Sequence, residues 1–133
     1  PAIVYDYQPR AVTVDNQMGA FHKTQRMGIG QIGPLEYICV CCEGPEDPGS
    51  KGLTVQEFGE LVASFGDVRL FYNLDGGSSA TMVFKGLDKR GNETLYAKIN
   101  APQNLKVRQA GGCIYFPSAW VTSEMAETEP GDE

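Results

Sequence analysis

The chain has 133 residues, 41% of them apolar and 21% charged, with a formal net charge of -6. That composition suits one ordinary globular core, and no stretch approaches the run of about 18 apolar residues that a membrane-spanning helix needs. The charge is localised: Glu124, Glu127, Glu129, Asp132 and Glu133 stand without a base in the last eleven residues, leaving 12 acids against 11 bases before them. A nearly neutral body with no basic stripe lacks the electrostatic footprint of a nucleic-acid binder.

Taken in chain order, alternating apolar residues predict strands over Ala2 to Tyr7 and Ala11 to Val14, then Met27 to Ile32 and Tyr37 to Cys42. His22, the single histidine, has no partner motif and reads as a loop residue. Thr54-Val55-Gln56-Glu57 has the pattern of a capping box, in which a hydroxyl and a carboxylate satisfy the free amides of a helix start. Val55, Phe58, Val62 and Phe65 follow at helical spacing and Gly66 marks a stop, so one amphipathic helix is expected over Thr54 to Phe65. Further strands are predicted over Val68 to Leu74, Ala80 to Phe84, Thr94 to Lys98 and Cys113 to Phe116, with Gly86 to Asn92 as a hairpin loop. The fold class expected is α+β: a mixed, mostly antiparallel sheet with one main helix packed on it. Residues 119–133 read as an acidic, disordered tail behind a domain ending near residue 118.

Cys39, Cys41 and Cys42 lie in one strand-like run, where alternation puts the first two on one face and the third on the other. Their spacings match no common zinc pattern, so buried free thiols packing as small hydrophobes are expected. A Cys42 to Cys113 disulfide stays open as an alternative. The thiol cluster argues mildly for a reducing compartment.

The decapeptide Asn73 to Met82, NLDGGSSATM, places two glycines and three hydroxyl residues behind one acid, between two strand patterns. Asp75-Gly76 is a strong hairpin signal, because both residues tolerate the positive φ of tight turns. Equally, the glycines allow close backbone approach, and successive amides beside Ser78, Ser79 and Thr81 form a concavity suited to a phosphate or a sugar. The residues alone leave turn and binding loop both open.

This segment resembles the signature of the phosphodiester glycosidase family, the N-acetylglucosamine-1-phosphodiester alpha-N-acetylglucosaminidase-like domains, which have many bacterial members. Asn73, Leu74, Asp75, Gly76, Gly77, Ser79, Thr81 and Met82 stand in register with the family pattern. Gln25 to Gly33, Ser50 to Thr54, Ile99 to Pro102 and Arg108 are similar to flanking family blocks. Ser78 and Ala80 depart from the pattern, as does Glu43-Gly44-Pro45 where the family has Asp-Gly-Arg. The family's Asn-Gly-Gly-Phe block does not occur, and Pro1 to Val4 resembles a mid-domain strand. The chain is therefore expected to be the C-terminal portion of such a domain, completed by an upstream half or by a partner chain.

The resemblance implies hydrolysis of a sugar-1-phosphodiester at the anomeric C–O bond, releasing the free sugar and a phosphomonoester. Phosphate is a good leaving group, so the work is to hold it, stabilise an oxocarbenium-like sugar and direct water. Asp75 is the candidate catalytic residue, as base toward water, acceptor for sugar hydroxyls, or ligand to a divalent cation. Its bland role is to accept amides of its own loop. Asn73, Gly76, Gly77, Ser78, Ser79 and Thr81 are candidate substrate-binding residues, with a structural turn as their alternative. Arg26 and Arg108 are the candidate cations, since a guanidinium can bridge two phosphate oxygens; the alternative for each is a loop staple. Asn100 can bind substrate or close a turn, and Glu43 stands at the expected pocket edge. Two other readings remain: a carbohydrate- or phosphate-binding module without chemistry, and a structural subunit. The family suggests a secreted, cell-surface or lumenal protein, against the hint from the thiols.

Overall fold

A computed structural model describes residues 1–14, 19–84, 90, 97–100, 109 and 111–116. Its centre is a five-stranded sheet in the order β2-β1-β5-β3-β4, with β1 Ala2–Tyr5, β2 Gln8–Pro9, β3 Arg26–Gly33, β4 Glu36–Cys42 and β5 Leu70–Asn73. Every pairing in it is antiparallel. One helix, α1 (Val55–Ala63), packs on this sheet, which makes the class α+β as expected. A separate two-stranded ribbon joins β6 (Val83–Phe84) to β7 (Ala97–Lys98), also antiparallel. Among the described residues no helix is long and apolar enough to cross a membrane.

The helix forms where its capping box stands. The Thr54 hydroxyl accepts the Glu57 amide at 3.1 Å, and the Glu57 carboxylate accepts the Thr54 amide at 2.8 Å, so two orphan donors are satisfied reciprocally. Val55, Phe58 and Val62 turn one stripe into the core, where they meet Ile3, Val4, Ala20, Val68 and Phe71. The Phe58 and Phe71 rings meet edge to face, with centroids 5.5 Å apart. Phe71 lies over Gly28 and Gly30 of β3, which offer flat backbone where any side chain would collide with the ring.

Glu57 also receives the Lys23 ammonium at 2.8 Å. That contact, followed by the bond from the Thr54 amide, holds its carboxyl below the ordinary glutamate range. The sign follows from linkage. A lowered folded-state pKa stabilises the fold above the unfolded value, and that contribution is lost as the pH falls through the folded value. Glu57→Gln is therefore expected to remove part of the acid-side decline in stability. Urea midpoints of the two proteins should differ at neutral pH and converge in acid.

Several expected strands change. Ala2 to Tyr7 breaks into a hairpin because Asp6 (φ 49°) and Tyr7 (φ 66°) take left-handed backbone and fold β2 back on β1. Ala11 to Val14 forms no strand, and Val14 is exposed. Cys113 to Phe116 also forms none; its apolar side chains are exposed, with the Phe116 ring 6.2 Å from that of Tyr37. In both cases no strand among the described residues pairs with the segment. The hairpin that Asp75-Gly76 signals does not form across the decapeptide: β5 pairs with β1 and β3, whereas β6 pairs with β7.

The four cysteines carry free thiols, but Cys39 and Cys113 are exposed rather than buried. Cys42 packs against the core from the α1 side, and Arg26 donates its amide to the Cys42 sulfur at 3.2 Å. Burial pushes the Cys42 thiol up, against the pull of the Arg26 amide and charge. A protonated, half-buried thiol is a poor nucleophile. Arg108, the loop Gly86 to Asn92 apart from Arg90, the first three residues of the expected strand Thr94 to Lys98, and the tail 119–133 lie outside the described residues.

Candidate functional site

The decapeptide leaves the central strand β5 and turns across the start of β3, so its position is set by non-local contacts. The Leu74 amide donates to the Met27 carbonyl at 2.8 Å, and the Gly77 amide donates to the Gln25 carbonyl at 2.9 Å. Gly77 has a φ of 60°, a conformation that glycine adopts without the steric cost of a Cβ. At Gly76 a Cβ would stand 2.6 Å from the Gln25 carbonyl oxygen, so only glycine lets the two backbones approach this closely. Residues Gly77–Ser79 then form a single 3-10 turn, closed by the Ser79 amide on the Gly76 carbonyl and the Ala80 amide on the Gly77 carbonyl.

Gln25 is the hub beneath this loop. It is only 3% exposed, its side chain accepts the Thr24 hydroxyl at 3.1 Å, and Gly44 abuts it from the other side. Thr24 in turn exchanges backbone hydrogen bonds with Leu53. Asn100 reaches the far end of the decapeptide: its amide donates to the Ala80 carbonyl at 2.9 Å and its oxygen accepts the Met82 amide at 2.8 Å. Residues 25–27 and Asn100 therefore touch NLDGGSSATM directly, while Gly44 and Leu53 back the Thr24–Gln25 segment beneath it.

Asp75 stands exposed at the start of the loop. One of its oxygens accepts the Gly76 amide at 3.0 Å, which fixes the carboxylate against its own loop, and the second has no partner among the described residues. The Ser78 and Thr81 hydroxyls likewise make no hydrogen bond within the described residues. Asn73 donates its side-chain amide to the Leu74 carbonyl at 2.9 Å, while its oxygen is buried without a donor among the described residues. A buried acceptor left unpaired costs about 1–3 kcal/mol, so a hydroxyl or water brought to it is favoured. The decapeptide thus carries an exposed carboxylate, a buried acceptor and two hydroxyls without partners among the described residues.

Arg26 has a different place from the one expected of a cation facing a ligand. It is 4% exposed on the α1 side of β3, where its Nε donates to the Leu53 carbonyl at 2.9 Å. Its Nη2 donates to the carbonyls of Gly19 at 2.7 Å and His22 at 2.6 Å. The fork staples two loop segments, residues 19–22 and Leu53, to the start of β3, and the β3 backbone beside it carries the decapeptide. Among the described residues no three His, Cys, Asp or Glu side chains are grouped to hold a metal ion.

The sequence pointed to the loop but not to Gln25, whose importance comes from two glycines that approach it from positions 44 and 76. No local pattern signals such an approach. The profile of the phosphodiester glycosidase family matches residues 1–116. The chain belongs to that family. A search of curated proteins gave no match. The family match also takes in β1 and Pro1 just before it, whose carbonyl accepts the Asn73 amide at 2.9 Å.

Proposed function

We propose that the decapeptide and the segments gathered under it form part of a site that hydrolyses a sugar-1-phosphodiester, of the N-acetylglucosamine-1-phosphodiester kind, to free sugar and phosphomonoester. The observation that carries this reading is the loop itself. Residues of one phosphodiester glycosidase domain present an exposed carboxylate oxygen, two open hydroxyls and an unpaired buried acceptor, on backbone held by Gln25 and Asn100.

In this reading water attacks the anomeric carbon, the C–O bond to phosphate breaks, and its electron pair leaves with the phosphomonoester. The unbound Asp75 oxygen takes a proton from the attacking water or fixes a sugar hydroxyl, while Ser78 and Thr81 donate to phosphate or sugar oxygens. Asp75 faces the carbohydrate end, because two anions at close range repel. The substrate is a small glycoside or glycan phosphodiester, and further parts of the pocket come from Arg108 and from an upstream half of the domain or a partner chain.

Asp75→Asn keeps the size and the acceptor for the Gly76 amide but removes the charge. Release of N-acetylglucosamine from an N-acetylglucosamine-1-phosphodiester by the full-length protein is expected to fall by about 10²–10⁴. An unchanged rate would overturn the assignment. One observation favours a second reading, a binding module without turnover: the other Asp75 oxygen is engaged by its own loop. Saturable binding of the phosphodiester with no sugar released would support it.

A further inference from the structure

We propose that the groove at the opposite end of β5, beside the β1–β2 turn, binds a neutral glycan at a place separate from the decapeptide. Two cavities, of about 360 Å³ and 470 Å³, adjoin there and share Gln31 and Arg69 as lining residues. Tyr7 lines the first, and Tyr5, Asp6 and Leu70 line the second. Leu70 opens β5 and Asn73 closes it, so the length of the strand separates this groove from the signature loop.

The frame of the groove is held by backbone. The Tyr7 amide donates to the Arg69 carbonyl at 3.2 Å, and the Arg69 amide donates to the Gln31 carbonyl at 3.0 Å. Asp6 and Tyr7 both occupy left-handed backbone, which a two-residue hairpin normally fills with Asn or Asp followed by Gly. A bulky aromatic residue in that conformation is strained, and strain of this kind concentrates at binding and catalytic positions. The hydrogen bond from its amide secures Tyr7 at the rim.

The chemistry of the lining selects the ligand class. The side chains of Tyr5, Asp6, Tyr7, Gln31 and Arg69 make no hydrogen bond or ion pair within the described residues, although an acid and a base line one cavity. A polyanion would meet the Asp6 carboxylate and a cation the Arg69 guanidinium, so neither is well matched. A sugar ring satisfies both demands: its C–H face stacks on tyrosine, and its hydroxyls donate to a carboxylate or amide oxygen and accept from a guanidinium. The volumes lie in the range of about 300–1,000 Å³ typical of small-ligand sites.

The test is an amide chemical-shift titration of the ¹⁵N-labelled full chain with two phosphate-free probes, N,N′-diacetylchitobiose and maltotriose. At least one probe is expected to shift Tyr7, Gln31 and Arg69 saturably, with a Kd of roughly millimolar or tighter. Arg69→Ala and Tyr7→Asn, the latter retaining a residue that tolerates left-handed backbone, should each weaken binding by about tenfold or more. Unaltered shifts elsewhere would show that both variants fold. Asp75→Asn should leave this binding unchanged while removing turnover, so the groove and the hydrolytic site stand or fall separately. No saturable shift up to about 10 mM of either probe, shifts confined to residues 73–82, or full affinity in Arg69→Ala would each overturn the proposal.

Discussion

Gly28→Ala is expected to cost about 3 kcal/mol or more, a large part of the 5–15 kcal/mol that holds a domain together. A Cβ at this position would lie 2.2 Å from Phe71 Cε1 and 2.7 Å from the Tyr72 carbonyl oxygen. The ring has no free direction in which to retreat, because Phe58 packs against it and Phe71 is fully buried. The carbonyl belongs to β5, which is hydrogen-bonded to β3 with Gly28 opposite Asn73. Relief therefore means moving β5 away from β3, and the decapeptide begins where β5 ends. A chemical denaturation curve should show the loss directly. At temperatures where the variant is still folded, its activity should fall as well, because the Leu74 and Gly77 amides would lose register with the Met27 and Gln25 carbonyls.

Arg26→Lys is the second large effect, and it separates two roles for the same side chain. A lysine keeps the charge but offers one compact ammonium in place of a planar fork. It cannot reach the Leu53, Gly19 and His22 carbonyls in the geometry that Nε and Nη2 now serve. Carbonyls left unpaired in a buried setting cost about 1–3 kcal/mol each, with partial relaxation, so a loss of about 2–4 kcal/mol is expected. In a domain of this size that is a fall on the order of 10 °C in Tm. If the charge of Arg26 served only to attract a phosphate, the lysine variant would keep its Tm and lose affinity alone. A fall in Tm that addition of inorganic phosphate does not restore would mark the arginine as a positioning residue, acting through the loops it staples.

The two variants act on the same device from different sides. Gly28 sets the distance between β3 and β5, while Arg26 holds the loops around residues 19–22 and 53 against the start of β3. The decapeptide rests on that strand start through the Gln25 carbonyl, so its open groups keep their arrangement only when both supports are intact. Of the two roles the sequence left open for Arg26, the hydrogen bonds to the Leu53, Gly19 and His22 carbonyls are those of a loop staple.

Much of the molecule could be read from the chain alone, wherever the deciding interactions are local. The capping box of Thr54 and Glu57 spans four residues, the stripe of Val55, Phe58 and Val62 recurs along one helix, and the alternation of β4 separates Cys39 and Cys41 from Cys42. The family signature from Asn73 to Met82 was legible for the same reason, because its residues are contiguous. What only the tertiary structure decided is which patterns find a partner. Ala11 to Val14 and Cys113 to Phe116 alternate as convincingly as a strand, but alternation says which face is apolar and not whether a neighbouring backbone arrives. The Asp75-Gly76 hairpin signal yielded to the Gly77 amide on the Gln25 carbonyl, a contact across 52 residues. Arg26 likewise acquired its role from carbonyls 7, 4 and 27 residues away. A buried guanidinium is bound to satisfy its donors, and the nearest acceptors are chosen by the packing of loops that no short stretch of sequence encodes.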